Sequence, residues 1–577
     1  MRITIARTAG FCMGVRQAVE MAVKASNETQ PPIYTYGPLI HNPQVLSVLA
    51  EKGISVLDKI PESGEGTIII RAHGIPPEEK TALKVAGFKV LDATCPNVIK
   101  VQTIIKRHTT DGYAAIIIGD SQHPEVKGLL GYAGNQGYIV DSIEALRRLP
   151  GFEKAIIVSQ TTQNLSFFRD VQCWAKQHHP HYKVFNTICD SSKNRQAEVR
   201  TLASSVDAIL VVGGHDSGNT KRLYETASST GKPAQHIETE EELDVNQLEG
   251  CRHIGITAGA STPDWIIERV YRALENRVMK RDLVLRRSFF HIQRHLLLSN
   301  SYLAAGAGCL AYVSAMMLEF PVSASGILMP MLYILCMHTF NNLIDTSTDR
   351  YSDPDRAAFY QKNRAWLSAL TFIAGTAVLL IAYSMGPGFF ILLAVMLLLG
   401  MVYNVRLITG GIGKARKSRI RDIPGSKTVL ISLAWAIVTT LLPAVYHKCA
   451  VHEGVAVVYC WVCGLVFIQD SFSDVMAMQG GQITGKETVP ILLGEKRTMR
   501  LLKIISGAMA VLIWYAAALR IVAPSGFLIG FCPVFILLSL YIHEQGKVSP
   551  GFRKSLLMEG YFILAGLLAA LGSAVFT

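Results

Sequence analysis

Beyond about residue 300 the sequence repeats one feature, an apolar run near the length that crosses a bilayer. The runs fall at 300–318, 322–341, 365–384, 388–404, 428–446, 454–470, 501–521, 525–543 and 556–576. A hydrocarbon core about 30 Å thick takes about 20 helical residues, and backbone in lipid must satisfy its own hydrogen bonds. This half is therefore restricted to an all-α polytopic membrane domain of about nine helices. Up to about Leu285 no such run occurs, and short apolar strands alternate with helical stretches in the manner of a soluble α/β protein. The 577 residues thus predict two bodies, 1–281 and 299–577, joined at 282–298. The joining stretch is basic (Arg286, Arg287, Arg294) and reads as a juxtamembrane helix at an anionic surface.

The net charge of +12 does not point to nucleic acid, because the basic residues crowd into alternate loops between the apolar runs. One such loop carries Arg350, Arg356, Lys362 and Arg364, and the next on the same side carries Lys414, Arg416, Lys417 and Arg421 among others. Lys486, Lys496, Arg497 and Arg500 mark the third, and Lys547, Arg553 and Lys554 the fourth. This bias places those loops and the soluble half in the cytoplasm of a multi-pass protein of the inner membrane. The eleven cysteines form no compact disulfide framework, which suits a reducing compartment. The N-terminus begins as a strand without an apolar leader, so no cleaved signal is expected.

Within the soluble half a unit recurs of apolar strand, polar loop and helix. The loops include Gly37-Pro38-Leu39-Ile40-His41, Ala72-His73-Gly74, His123-Pro124-Glu125, Ser159-Gln160-Thr161-Thr162, Ser217-Gly218-Asn219 and Gly259-Ala260-Ser261. In open parallel sheets, ligands bind where the carboxyl ends of strands gather such loops. Histidines, hydroxyls, an amide and a carboxylate together suit a polyanion such as a diphosphate beside a group that needs protons. Three cysteines, Cys12, Cys95 and Cys189, stand in similar settings 83 and 94 residues apart. They are read either as thiolates offered by three βα modules to one shared metal centre with an open position, or as unrelated buried cysteines.

The set FCMGV, GPLIHNPQV, RAHGIP, DATCPNV, HPEV, SQTT, TICDSSKNRQ and TAGASTPDW resembles the 4-hydroxy-3-methylbut-2-enyl diphosphate reductases, in order over nearly all of residues 1–280. The resemblance implies a three-module α/β trefoil around a [4Fe-4S] cluster ligated by Cys12, Cys95 and Cys189. It implies that His41, His73, His123, Ser217, Asn219 and Ser261 hold the diphosphate, that Glu125 supplies protons and that Thr161 orients the substrate hydroxyl. The implied reaction is reductive removal of that hydroxyl, giving isopentenyl and dimethylallyl diphosphate. The sequence departs from the family at Gly218, where a second serine is common. No GxGxxG follows a strand, so electrons are expected from a separate ferredoxin or flavodoxin.

The second half carries two acidic motifs. Asp345 and Asp349, four residues apart on one helix face, can hold Mg²⁺ and through it a diphosphate. Asp470 and Asp474 follow the sixth apolar run, with Gly485, Thr488 and Pro490 beyond. With Tyr403-Asn404-Val405-Arg406, these residues resemble the intramembrane prenyltransferases of the UbiA superfamily over about 300–577. That resemblance implies a lipid-open cavity in which two Asp-rich motifs bind Mg²⁺ and a prenyl diphosphate. Asn342 stands where the first motif has an aspartate, and Ala477 and Gly481 replace two in the second, leaving Asp474. The competing expectation for this half is a non-catalytic, lipid-binding membrane anchor.

Overall fold

The computed structural model describes residues 2–280, 284–349, 351–403, 407–409, 416–418, 425–449, 452–484, 486, 488–545 and 552–576. The chain divides into two compact units, Met1–Leu274 and Glu275–Thr577.

The first unit is three parallel four-stranded sheets of one topology. One sheet holds β2 (Ile33–Tyr36), β3 (Ile54–Leu57), β4 (Thr67–Ile70) and β5 (Lys89–Asp92) in the order β3-β2-β4-β5. The next repeats it with β6 (Ala114–Ile118), β7 (Gly137–Val140), β8 (Ala155–Ser159) and β9 (Lys183–Val184), as β7-β6-β8-β9. The last holds β10 (Ala208–Val212), β11 (Ala234–Ile237) and β12 (His253–Ala258), and takes β1 (Arg2–Ile5) from the start of the chain as its fourth strand. The repeat is therefore threefold, with one module closed by the N-terminus.

The inner strands β4, β6, β8 and β10 are buried along their whole length, as their unbroken apolar sequences require of strands covered on both faces. Alternation then sorts the residues. Ile116 and Ile118 face a core with Phe168 and Trp174, whereas Ala115 and Ile117 face one with Val98, Ile105, Val126 and Leu129.

Ten helices follow the strands: α1 (Met13–Glu28), α2 (Pro43–Glu51), α3 (Pro77–Val85), α4 (Pro96–Thr110), α5 (Pro124–Ala133), α6 (Ile143–Arg147), α7 (Leu165–His178), α8 (Asp190–Ala203), α9 (Gly218–Ser228) and α10 (Asp264–Lys280). Two of them explain how the modules close on each other. Val98, Val101 and Ile105 of α4 pack against the β6–β9 sheet, and Val199 and Leu202 of α8 against the β10–β12 sheet. Each of these helices leaves the fourth strand of one sheet and buries its apolar face on the next.

The second unit is helical, apart from a short antiparallel pair of strands at Leu407–Thr409 and Arg416–Ser418 that the all-α expectation did not include, and it is embedded in a membrane. Eight helices among the described residues are long and apolar enough to cross a bilayer, and Pro387–Tyr403 is a shorter apolar one. All nine anticipated runs are helical, but this fourth one has 17 residues, about 25 Å at 1.5 Å per residue. The fifth contains a π-helical turn at Ile437–Leu441, so its two halves are separate α-helices. Large apolar side chains are exposed on the outside of these helices, Phe372 by 75 %, Tyr383 by 68 % and Val511 by 64 %, while Trp435, Trp461, Tyr561 and Phe562 fill the interior. Such a surface is stable only against lipid.

The anticipated juxtamembrane helix is Val284–Leu298. Its Arg294 pairs with Asp355 at 3.1 Å, so that charge is engaged by protein.

Candidate active site

All three cysteines implied as ligands cap helices. Cys12, Cys95 and Cys189 are the N-cap residues of α1, α4 and α8, and each follows the fourth strand of its sheet. The Cys12 and Cys189 sulfurs accept from the amides of Val15 and Ser192 at 3.5 and 3.4 Å. The positive end of a helix therefore stands behind each sulfur. The backbone amide of each cysteine donates in turn to the loop after the third strand of its own sheet. Cys12 N–H reaches Ala260 O at 3.1 Å, Cys95 N–H reaches Ala72 O at 2.9 Å, and Cys189 N–H reaches Thr161 O at 2.9 Å. These bonds put every cysteine against, or one residue from, the residue predicted to touch substrate: Ser261, His73 and Thr161.

The thiols also approach one another. A Cβ on Gly14 would lie 2.5 Å from the Cys95 sulfur, so only glycine lets α1 come this close. Burial, followed by the Cys12 and Cys189 sulfurs among other contacts, pushes the Cys95 thiol up. Three free, partly buried cysteines at helix N-termini fit a cluster that takes three protein thiolates and leaves one iron open.

The histidines meet at the first and third strand ends. Ring centroids of His41, His73 and His123 lie 4.8, 5.9 and 5.3 Å apart pairwise. Burial lowers the pKa of all three, of His123 to about 4 and of His73 well below the usual value; Arg71 acts the same way on all three, and neighbouring imidazoles do so on His73 and His123. They are neutral at pH 7 before a ligand arrives. The Glu125 amide donates to His123 Nδ1 at 3.1 Å, so the remaining proton sits on Nε2 and this histidine presents a donor. Three neutral imidazoles this close could hold a metal, but a metal needs a lone pair where His123 offers N–H. An anion is the better match. Other buried polar atoms here lack partners, among them His41 Nε2, His73 Nδ1, Asn42 Nδ2 and Asn219 Nδ2. Amide donors left unmade in a buried site are costly unless a ligand accepts from them.

The hydroxyls complete the cradle. Ser217 caps α9, whose N-terminus favours negative charge. Ser261 Oγ donates to His41 O at 3.2 Å and lies 3.3 Å from Ser217 Oγ. Asn219 Oδ1 accepts from Ser192 Oγ at 3.4 Å, and Ser192 Oγ lies 3.1 Å from the Cys189 sulfur. A Cβ on Gly218 would stand 3.2 Å from His123 Nε2, so a serine there would set its side chain against that histidine.

Glu125 is 2 % exposed. Thr161 N–H donates to its Oε1 at 2.6 Å and Thr161 Oγ to its Oε2 at 2.9 Å. Burial raises its pKa to about 7 against the opposing effect of both bonds. This carboxyl can therefore hold a proton at neutral pH beside a hydroxyl able to pass it on.

Arg195 lies in the TICDSSKNRQ stretch, where the sequence alone gives it no role. It is 3 % exposed, donates to Ala258 O at 3.0 Å and to Gly10 O at 2.7 Å, and faces Cys12 and Cys189. The available signal was a basic residue on the helix that starts at Cys189; only the closed trefoil shows that it reaches the loop before Cys12.

In the membrane unit, Asp345 is partly buried near the end of the helix Ala324–Asp349, and the side chain of Asp349 lies outside the described residues. Asn342 joins a buried polar group with Asn300, Tyr360 and Arg356, in which Asn300 donates to the Tyr360 hydroxyl at 2.8 Å and Arg356 to Asn300 Oδ1 at 2.9 Å. Asp474 lies with Asp470 against Lys427. Asn404, Val405, Arg406 and Gly485 lie outside the described residues.

The family described as LytB protein matches residues 3–275, and the UbiA prenyltransferase family matches residues 301–570. The 4-hydroxy-3-methylbut-2-enyl diphosphate reductase of Aquifex aeolicus (strain VF5) is 44 % identical over 280 residues, covering 46 % of this chain and 94 % of that one. Its counterpart from Geobacter sulfurreducens is 42 % identical over 277 residues, covering 48 % and 97 %. A solved UbiA homologue from Aeropyrum pernix K1 is similar at 14 % identity and a TM-score of 0.37, over 47 % of this chain and 97 % of that one. The UbiA prenyltransferase family model matches residues 301–570, and through residues 3–275 the chain belongs to the LytB family of 4-hydroxy-3-methylbut-2-enyl diphosphate reductases.

Proposed function

We propose that residues 1–281 convert 4-hydroxy-3-methylbut-2-enyl diphosphate, two electrons and two protons into isopentenyl or dimethylallyl diphosphate and water. The observation that carries this reading is the protonatable Glu125–Thr161 pair, set between an imidazole and hydroxyl cradle and the Cys189 loop. A [4Fe-4S] cluster on Cys12, Cys95 and Cys189 would supply single electrons and an iron with an open position. The chain's own residues do the rest. His41, His73, His123, Ser217, Asn219 and Ser261 bind the diphosphate oxygens and so fix the allylic carbon chain. Thr161 Oγ orients the substrate hydroxyl. With Glu125 protonated, the contact to Thr161 Oγ reverses: the carboxyl donates to it, and the threonine proton turns toward the departing hydroxyl. The electron donor in this reading is a separate ferredoxin or flavodoxin.

Protein prepared without oxygen should consume this substrate with reduced viologen as donor and yield both five-carbon diphosphates. Full iron content with no consumption would overturn the assignment.

The membrane half, in this reading, binds a prenyl diphosphate with Mg²⁺ at Asp345 and Asp349. It sits in the inner membrane, with residues 1–281 and the basic loops in the cytoplasm. If all nine apolar helices cross, Thr577 lies on the far side. A C-terminal reporter active only in the cytoplasm should then stay silent; a bright one would mean that a helix, with the short Pro387–Tyr403 first in question, does not cross.

A further inference from the structure

The second acidic motif does not suit a divalent ion. Asp470 and Asp474 stand one turn apart on the helix Glu453–Met476, with side chains only 14 % and 12 % exposed. Lys427, the second residue of the neighbouring helix Ser426–Ala436, reaches both. Its ammonium lies 3.6 Å from Asp470 Oδ1 and 3.3 Å from Asp474 Oδ1. Thr428 Oγ, from the next position, donates to Asp470 Oδ2 at 2.7 Å. Three of the four carboxylate oxygens are thus engaged by this chain's own donors, and Asp474 Oδ2 is buried without a partner. The later positions of the motif, Ala477 and Gly481, bring no oxygen.

Mg²⁺ demands near-octahedral oxygen ligands at about 2.0–2.1 Å. An ammonium has no such demand. It is a point charge with three donors, held in place by its own chain. Two adjacent buried carboxylates repel unless a cation stands between them, and here that cation is covalently part of the protein.

We propose that Lys427 is the resident cation of the second acidic motif, filling the place of a second divalent ion, so that the membrane half handles its diphosphate ligand with divalent metal at the Asp345 motif alone. This rests on the reading of that half as a diphosphate-binding domain. It places the ammonium where it contributes to neutralising the diphosphate, and it accounts for the motif's lost aspartates, since a single tethered charge needs fewer carboxylates than a divalent ion.

The test is binding of Mn²⁺ alone, followed by its paramagnetic resonance, to the purified full chain in lipid nanodiscs. Asp474→Asn should leave the wild-type Mn²⁺ isotherm unchanged. Lys427→Met should gain an additional Mn²⁺ site that Lys427→Met/Asp474→Asn loses, while Lys427→Arg, which keeps the charge, should gain none. Loss of a wild-type Mn²⁺ site in Asp474→Asn would overturn the proposal, and that arm needs no change at Lys427. Absence of any gained site in a folded Lys427→Met would overturn it too. Asp345→Asn reports separately: if it leaves Mn²⁺ binding untouched, the diphosphate-binding reading of the first motif fails, whereas Lys427 is judged on the Asp474 variants.

Discussion

Serine at Cys12, Cys95 or Cys189 should strip protein purified without oxygen of most of the about four irons per chain that a [4Fe-4S] centre holds. Reductase turnover should vanish with the iron. The expectation follows from position rather than from residue type. Each cysteine caps a helix, each is pinned by an amide bond to the loop after the third strand of its sheet, and α4 and α8 carry theirs toward the next module. At Cys12 and Cys189 serine keeps the cap, because its oxygen can accept from the Val15 and Ser192 amides, and at Cys95 it is a near-isosteric change at a helix start, so the fold should survive while the soft ligand is lost. Cys173, exposed on α7, and Cys251, ahead of β12, lack this setting, and serine there should leave the iron in place. Iron analysis with the visible absorption spectrum measures the result. Loss of iron from Cys173→Ser or Cys251→Ser alone would refute the ligand set.

Glu125→Gln should lower turnover about 10²-fold or more while substrate still binds. The amide keeps the shape and can still accept from Thr161, yet it delivers no proton. Burial makes the size of the effect large. A carboxyl with a pKa of about 7 carries its proton in about half of the molecules at neutral pH, against roughly 0.3 % for one at the ordinary 4.5. The sign follows. Because the protonated form is the active one, the rate attributable to Glu125 falls as pH rises through about 7, and the residual rate of Glu125→Gln should lack that descending limb. Binding rests on the histidines and hydroxyls, so the dissociation constant should hold within a few-fold. Near-normal turnover in this variant, or an unchanged pH profile, would remove Glu125 from proton delivery.

Much of this protein is legible one residue at a time. Apolar runs of membrane length fix the second unit as a helical bundle because lipid offers the backbone no other partner. Four of the six inner strands, β4, β6, β8 and β10, show themselves as largely apolar runs, since both faces are covered. The outer strands β3, β7, β9 and β11 were not anticipated. They are short, and their mixed sequences become strands only because a neighbour supplies the ladder.

The sequence could also present Cys12, Cys95 and Cys189 as equivalent, but not bring them together. Convergence depends on α4 and α8 packing on the sheets that follow them and on β1 pairing with β12 across 250 residues, contacts for which no local pattern exists. Charge state was equally hidden. Nothing in His-Pro-Glu reveals that Glu125 is buried against Thr161, which follows from loops delivered by different strands, or that the Glu125 amide two residues on holds the His123 proton on Nε2, which takes the folded turn to show. In the membrane unit the motif could be read as short of carboxylates. Only the packing of two helices showed an ammonium already standing between the two that remain, because pairing of buried charges is decided by which helices become neighbours.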